Sequence, residues 1–161
     1  MAVYTEPDDA ELAAFVAGYD IGDLISCKGI AEGVENSNFL LQTTRGPWIL
    51  TLYERRVARA DLPFFTALME HLAAKGIPCP TPVHDRAGQV IRELAGRPAA
   101  IITFLQGMSP RRVATEQCHP VGEALARLHL AGALVKPLDP AEYFAKLRFH
   151  RSVRSAAAYG L

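Results

Sequence analysis

The stretch Ala31-Glu-Gly-Val-Glu-Asn-Ser-Asn38 puts a glycine, two carboxamides and a hydroxyl between two apolar runs, and it is longer and more polar than a hairpin requires. Gly33 frees the backbone and Asn36 tolerates a left-handed conformation. The successive N–H groups of Val34, Glu35 and Asn36, with the side chains of Ser37 and Asn38, can then face the oxygens of an anion such as a phosphate. The same residues also suit a polar loop whose Asn and Ser side chains cap their own backbone, and no Gly-x-Gly-x-x-Gly is present. Lys28, just upstream, offers a cation to an anionic ligand, or simply a solubilising charge on a strand.

Other residue types with chemical reach are sparse. Cys27, Cys79 and Cys118 are far apart and an odd number, which favours reduced, buried thiols over a disulfide frame or a zinc site. The residues two places after His71, His84, His119, His129 and His150 are Ala73, Arg86, Val121, Ala131 and Ser152, so no histidine begins a His-x-Asp sequence. His84, His119 and His150 stand in polar or turn contexts, and Glu70 flanks the apolar face of a helical pattern, suited either to an ion pair or to water.

The elements that must position these groups follow from patterning. At 161 residues and 50% hydrophobic, the chain can bury about 68–70% of its unfolded surface, which predicts a globular fold. Seventeen basic and seventeen acidic residues are scattered, excluding the basic footprint that nucleic acid or an anionic membrane needs. The N-terminus lacks a signal-peptide pattern, and the apolar run around Pro98 to Leu105 is too short to span a bilayer; the expectation is a cytoplasmic protein.

Asp8-Asp-Ala-Glu11 reads as a capping box before a short helix carrying Leu12, Phe15, Val16 and Tyr19. Leu24 to Ile30, Phe39 to Thr43 and Trp48 to Tyr53 read as an antiparallel meander. Asp61 is placed to cap a helix through Leu62, Phe65, Met69 and Leu72, with Gly76 closing it and the sheet beneath it. Pro78 to Pro82 must be extended; Pro82 to Leu94 reads as strand, turn, strand, and Ala99 to Leu105 as a fifth, central strand. A last helical pattern runs from Thr115 to Gly132 with Val121, Leu125, Leu128 and His129 on one stripe.

This order is that of a kinase small lobe, and particular runs carry a closer likeness. Lys28 to Leu40, Trp48 to Arg55, Ile77 to Val83 and Val121 to His129 resemble the bacterial homoserine kinases of the aminoglycoside-phosphotransferase-like type, over about residues 1–132. The resemblance implies an α+β fold: a five-stranded antiparallel sheet with helices as the small lobe, plus the first helix of a helical large lobe. Its implied divisions are residues 1–107 for the lobe and adenine linker, 108–134 for the start of the second lobe, and 135–161 for an unmatched tail.

The resemblance further implies ATP and Mg²⁺ as cofactors and L-homoserine as the phosphoryl acceptor in threonine biosynthesis. Nucleotide-binding residues would then be Lys28, Gly33, Val34, Glu35, Asn36, Ser37 and Asn38, with Thr103, Phe104 and Leu105 pairing with adenine and Glu70 as a helix-borne ion-pair partner. Thr51 falls where such kinases carry a strand lysine, and a hydroxyl does not replace an ammonium. His129 resembles a structural helix histidine of the family. The His-x-Asp-x-x-x-x-Asn loop is absent, and beyond Gly107 the single aspartate, Asp139, precedes a proline. The expectation is therefore a truncated or frameshifted chain with no catalytic residues or metal ligands of its own, inactive alone and prone to self-association through an uncovered apolar face. The alternative is a non-catalytic nucleotide-binding or protein-interaction module.

Overall fold

The computed structural model describes residues 4–31, 35–54, 58–107 and 112–132. Helix α1 (Asp9–Val16) begins where the Asp8 carboxylate accepts from the N–H groups of Ala10 and Glu11, filling donors that the first turn leaves open. The other half of the expected capping box is redirected, because Glu11 Oε1 accepts from Ala95 N–H at 2.7 Å and ties the helix to a distant turn instead.

Strands β1 (Leu24–Ile30), β2 (Ser37–Thr43), β3 (Gly46–Leu52), β4 (Arg92–Leu94) and β5 (Arg97–Thr103) form one antiparallel sheet in the order β1-β2-β3-β5-β4. The expected meander is there. So is an interior strand made from the continuous apolar run, which begins two residues earlier than its apolar part because Arg97 and Pro98 pair with β4. The arm beginning at Pro82 forms no full strand. It lies along the free half of the β5 edge through a Pro82–Ile102 bridge, with Val83 N–H donating to the Ile101 carbonyl at 2.8 Å.

One face of the sheet carries Phe39, Leu41, Leu50, Leu52, Ala99 and Ile101, which close a core with Leu12, Phe15 and Val16 of α1 and with Tyr19 and Ile21. Alternation along β2 puts every second residue into this core, as a strand with one face on a hydrophobic layer must. Arg92 lies over the rings of Phe15 and Tyr19 at 4.9 and 5.5 Å, and burial pushes the Tyr19 hydroxyl pKa up to about 12. At the entry to β1, Gly22 has a φ of +84°, and a Cβ there would collide with Thr44 Oγ1.

Helix α2 (Leu62–Ala74) follows a 3-10 turn, Arg59–Asp61, and has proline in its first turn as expected. Asp61 stands at its N-cap position but makes no side-chain cap bond, because the 3-10 turn gives it helical dihedrals rather than the extended ones a cap requires. Gly76, at φ +75°, closes the helix.

The chain divides into two compact units, Met1–Ala114 and Thr115–Leu161. In the second, a 3-10 turn (Thr115–Gln117) leads into helix α3 (Cys118–Gly132). Its Val121, Leu125 and Leu128 are exposed, as is Cys118, which departs from the expectation that all three thiols are buried. Cys27 and Cys79 are half-buried. The tail at 135–161 lies outside the described residues. Among the described residues no helix is long and apolar enough to cross a membrane.

Candidate functional site

The second face of the sheet is set by register. Residues directly opposite in antiparallel strands share a face, so Lys28, Leu40, Ile49 and Ile102 form one row across four strands. Ile30, Asn38, Thr51 and Ala100 form the next. In the first row Leu40, Ile49 and Ile102 are half-buried, while Lys28 is exposed at the edge. The result is a short apolar strip, three strands wide, with one cation at its outer end, about 10 Å from β3 at ordinary strand spacing. Its inner end lies beside the point where β5 stops.

In the second row the Thr51 hydroxyl donates to Asn38 Oδ1 at 2.8 Å. That bond turns the carboxamide so that its NH₂ is the group left to meet an incoming acceptor. Thr51 is 8% exposed, so its environment suits a neutral hydroxyl better than an ammonium without an anion beside it.

Ser37 plays a different part from its neighbours. It is fully buried, its oxygen accepts from the N–H groups of Tyr4 and Thr5 at 2.8 and 3.1 Å, and its hydroxyl donates to Glu54 Oε1 at 2.8 Å. The other Glu54 oxygen pairs with Arg97 Nε at 3.1 Å, and Glu54 N–H donates to Asn36 Oδ1 at 3.4 Å. This network holds the C-terminal end of the polar loop against the ends of β3 and β5. Ser37 and Asn36 therefore position the loop with their side chains, while Asn38 presents a donor on the open face. Gly33 and Val34 lie outside the described residues, and Glu35 is half-buried beside them.

At the strand exit, Thr103 is committed to the Pro82 arm: its N–H donates to the Thr81 carbonyl and its Oγ1 accepts from Thr81 N–H, both at 2.9 Å. The β3–β5 ladder ends at the pair Trp48–Thr103, so the backbone groups of Phe104 and Leu105 lie beyond it, with both side chains exposed. Glu70 of α2 meets a histidine rather than a lysine, with its Oε1 2.6 Å from His84 Nε2. His129 is exposed on α3.

Sequence reasoning missed Glu54, Arg97, Leu40, Ile49 and Ile102. The period-two alternation of β2 was legible, but which strand lies opposite which is a property of the assembled sheet. An apolar strip beside a strand exit with free backbone groups can hold a planar heterocycle, and the Asn38 donors with Lys28 suit its anionic substituents. Among the described residues no three Asp, Glu, His or Cys side chains gather to hold a cation.

The sheet order, its helices and this face define the small lobe of a kinase-like phosphotransferase. The model of the phosphotransferase enzyme family matches residues 26–159, and the chain belongs to that family. That match runs on through most of the segment set apart above as an unmatched tail. The chain is 67% identical over 133 residues to a homoserine kinase of Afipia carboxidovorans and 66% identical over 133 residues to one of Xanthobacter autotrophicus. Each match covers 83% of this chain and 41% of the relative, so the chain spans about two-fifths of the length of these relatives. Among solved structures it resembles a spectinomycin phosphotransferase in complex with ADP and spectinomycin, with a TM-score of 0.63 and 13% identity, covering 78% of this chain and 39% of the other. At that identity the likeness concerns the fold.

Proposed function

We propose that this chain is the nucleotide-binding portion of an ATP-dependent homoserine kinase, and that alone it holds ATP without transferring its phosphoryl group. The observation that carries the reading is the second sheet face, where the Leu40–Ile49–Ile102 strip runs to the strand exit at Phe104 and Leu105 while Asn38 and Lys28 lie toward the polar loop. The purine takes the strip and the strand-end backbone; the phosphates take Asn38, Lys28 and the N–H groups of the Gly33–Asn36 loop. Homoserine as acceptor is supported by the names of the relatives at 67% and 66% identity.

Inactivity follows from chemistry. Phosphoryl transfer needs a residue that orients the attacking hydroxyl and carboxylates that hold the metal, and the 161 residues contain no His-x-Asp-x-x-x-x-Asn sequence. Incubating the chain with labelled ATP, Mg²⁺ and homoserine should give no phosphohomoserine, and turnover would overturn this part of the reading. ATP should raise the melting temperature, because a ligand that binds only the folded state stabilises it by about 2.7 kcal/mol at a hundredfold excess over Kd. No shift at saturating ATP would leave the non-catalytic interaction module as the better account.

One observation favours an associating role as well. Val121, Leu125 and Leu128 form an exposed apolar stripe along α3. The chain should therefore self-associate as its concentration rises, and Leu125→Lys should reduce this in light scattering. A monomer at all concentrations would exclude it.

A further inference from the structure

His84 stands between two acceptors. Its Nε2 lies 2.6 Å from Glu70 Oε1 on α2, and its Nδ1 lies 3.1 Å from the Gly88 carbonyl. A neutral imidazole has a single N–H, so it can satisfy one of these and must turn a lone pair toward the other; only the imidazolium donates to both. The turn that presents Gly88 is itself fixed. Asp85 Oδ1 accepts from the N–H groups of Ala87 and Gln89 at 2.9 and 2.7 Å, Asp85 N–H donates to the Gln89 carbonyl, and Arg86 N–H donates to the Gly18 carbonyl. This turn is thereby braced on the segment after α1, independently of the helix.

We infer that His84 joins helix α2 to the turn at residues 85–89 through both ring nitrogens at once as its doubly protonated imidazolium, and that loss of one proton gives up one of the two bonds, so that the seating of α2 depends on proton concentration. The groups facing the ring are the Gly88 carbonyl and the Asp85 carboxylate from the turn, and the Glu70 carboxylate from α2. All favour the cation, the Gly88 hydrogen bond most, and together they hold the His84 pKa above the ordinary histidine value although the ring is largely exposed. A folded-state pKa raised in this way means that the tie is fully present below the unfolded-state value and is lost as pH rises through the folded value. In a lobe whose third strand carries Thr51 instead of a lysine, this ion pair is what the α2 carboxylate makes. The inference rests on the His84 geometry and stands apart from nucleotide binding.

Two readouts on the full chain test it. Histidine NMR from about pH 5 to about pH 9 should place the His84 midpoint above about 6.5, and Glu70→Gln should lower it. Amide exchange in α2, corrected for its intrinsic pH dependence, should lose protection about two- to five-fold through that midpoint, and His84→Gln should remove the dependence. A wild-type midpoint at or below the ordinary value would overturn the inference without recourse to any variant. So would α2 protection that does not change through the midpoint, or that falls in His84→Gln as it does in the wild type.

Discussion

Glu54→Ala is expected to destabilise the chain by about 2–3 kcal/mol, out of a total on the order of 5–15 kcal/mol for a domain of this kind. The Glu54 side chain is 9% exposed and accepts from the Ser37 hydroxyl on one oxygen while pairing with Arg97 on the other. Its removal leaves a fully buried hydroxyl without its acceptor and a guanidinium without its counter-charge. Breaking a buried pair costs about 3–5 kcal/mol. Arg97 is 31% exposed, so water recovers part of its solvation and the expected value falls below that range. Urea denaturation should show a lower midpoint at an unchanged slope. The variant should also exchange amides faster at Asn36 and Ser37, since the loop end has lost its brace. A change under about 0.5 kcal/mol would mean that the network does not hold the loop.

Leu50 and Ile49 are neighbours in sequence and should behave as opposites. Leu50 is fully buried in the core against Phe39 and Ile101, and Leu50→Ala should cost about 2–5 kcal/mol through lost transfer energy and the cavity left behind. Ile49 is half-buried on the other face, and Ile49→Ala should cost only about 1 kcal/mol. On the proposed reading the ATP-induced rise in melting temperature should shrink in Ile49→Ala, which loses contact with the purine, and persist in Leu50→Ala. Melting curves with and without ATP decide the matter. An undiminished shift in Ile49→Ala would move the nucleotide off this face.

How much of this was legible beforehand depended on the range of the interaction. The Asp8 cap, the closing glycine of α2, the meander and the interior apolar strand depend on neighbours within a few residues, and each was readable. Asp61 failed as a cap because a 3-10 turn, stabilised by its own local bonds, took its dihedrals. Ser37 looked like Asn38 in the sequence, two small polar residues side by side. Strand alternation sends one to the core face and the other to the opposite face, and a single step in register separates a bracing hydroxyl from an amide on the second face of the sheet.

The sequence by itself determined the order of elements, the polar loop between two strands, the lack of a catalytic His-x-Asp loop and the absence of lysine at Thr51, because these are properties of residue type and local period. Only the tertiary structure decided that Glu54 and Arg97 brace the loop, that Leu40, Ile49 and Ile102 make one strip, and that Glu70 answers to His84. Most of those pairings join residues well separated in the chain, and their geometry is fixed by strand register and helix seating, which residue type alone does not encode.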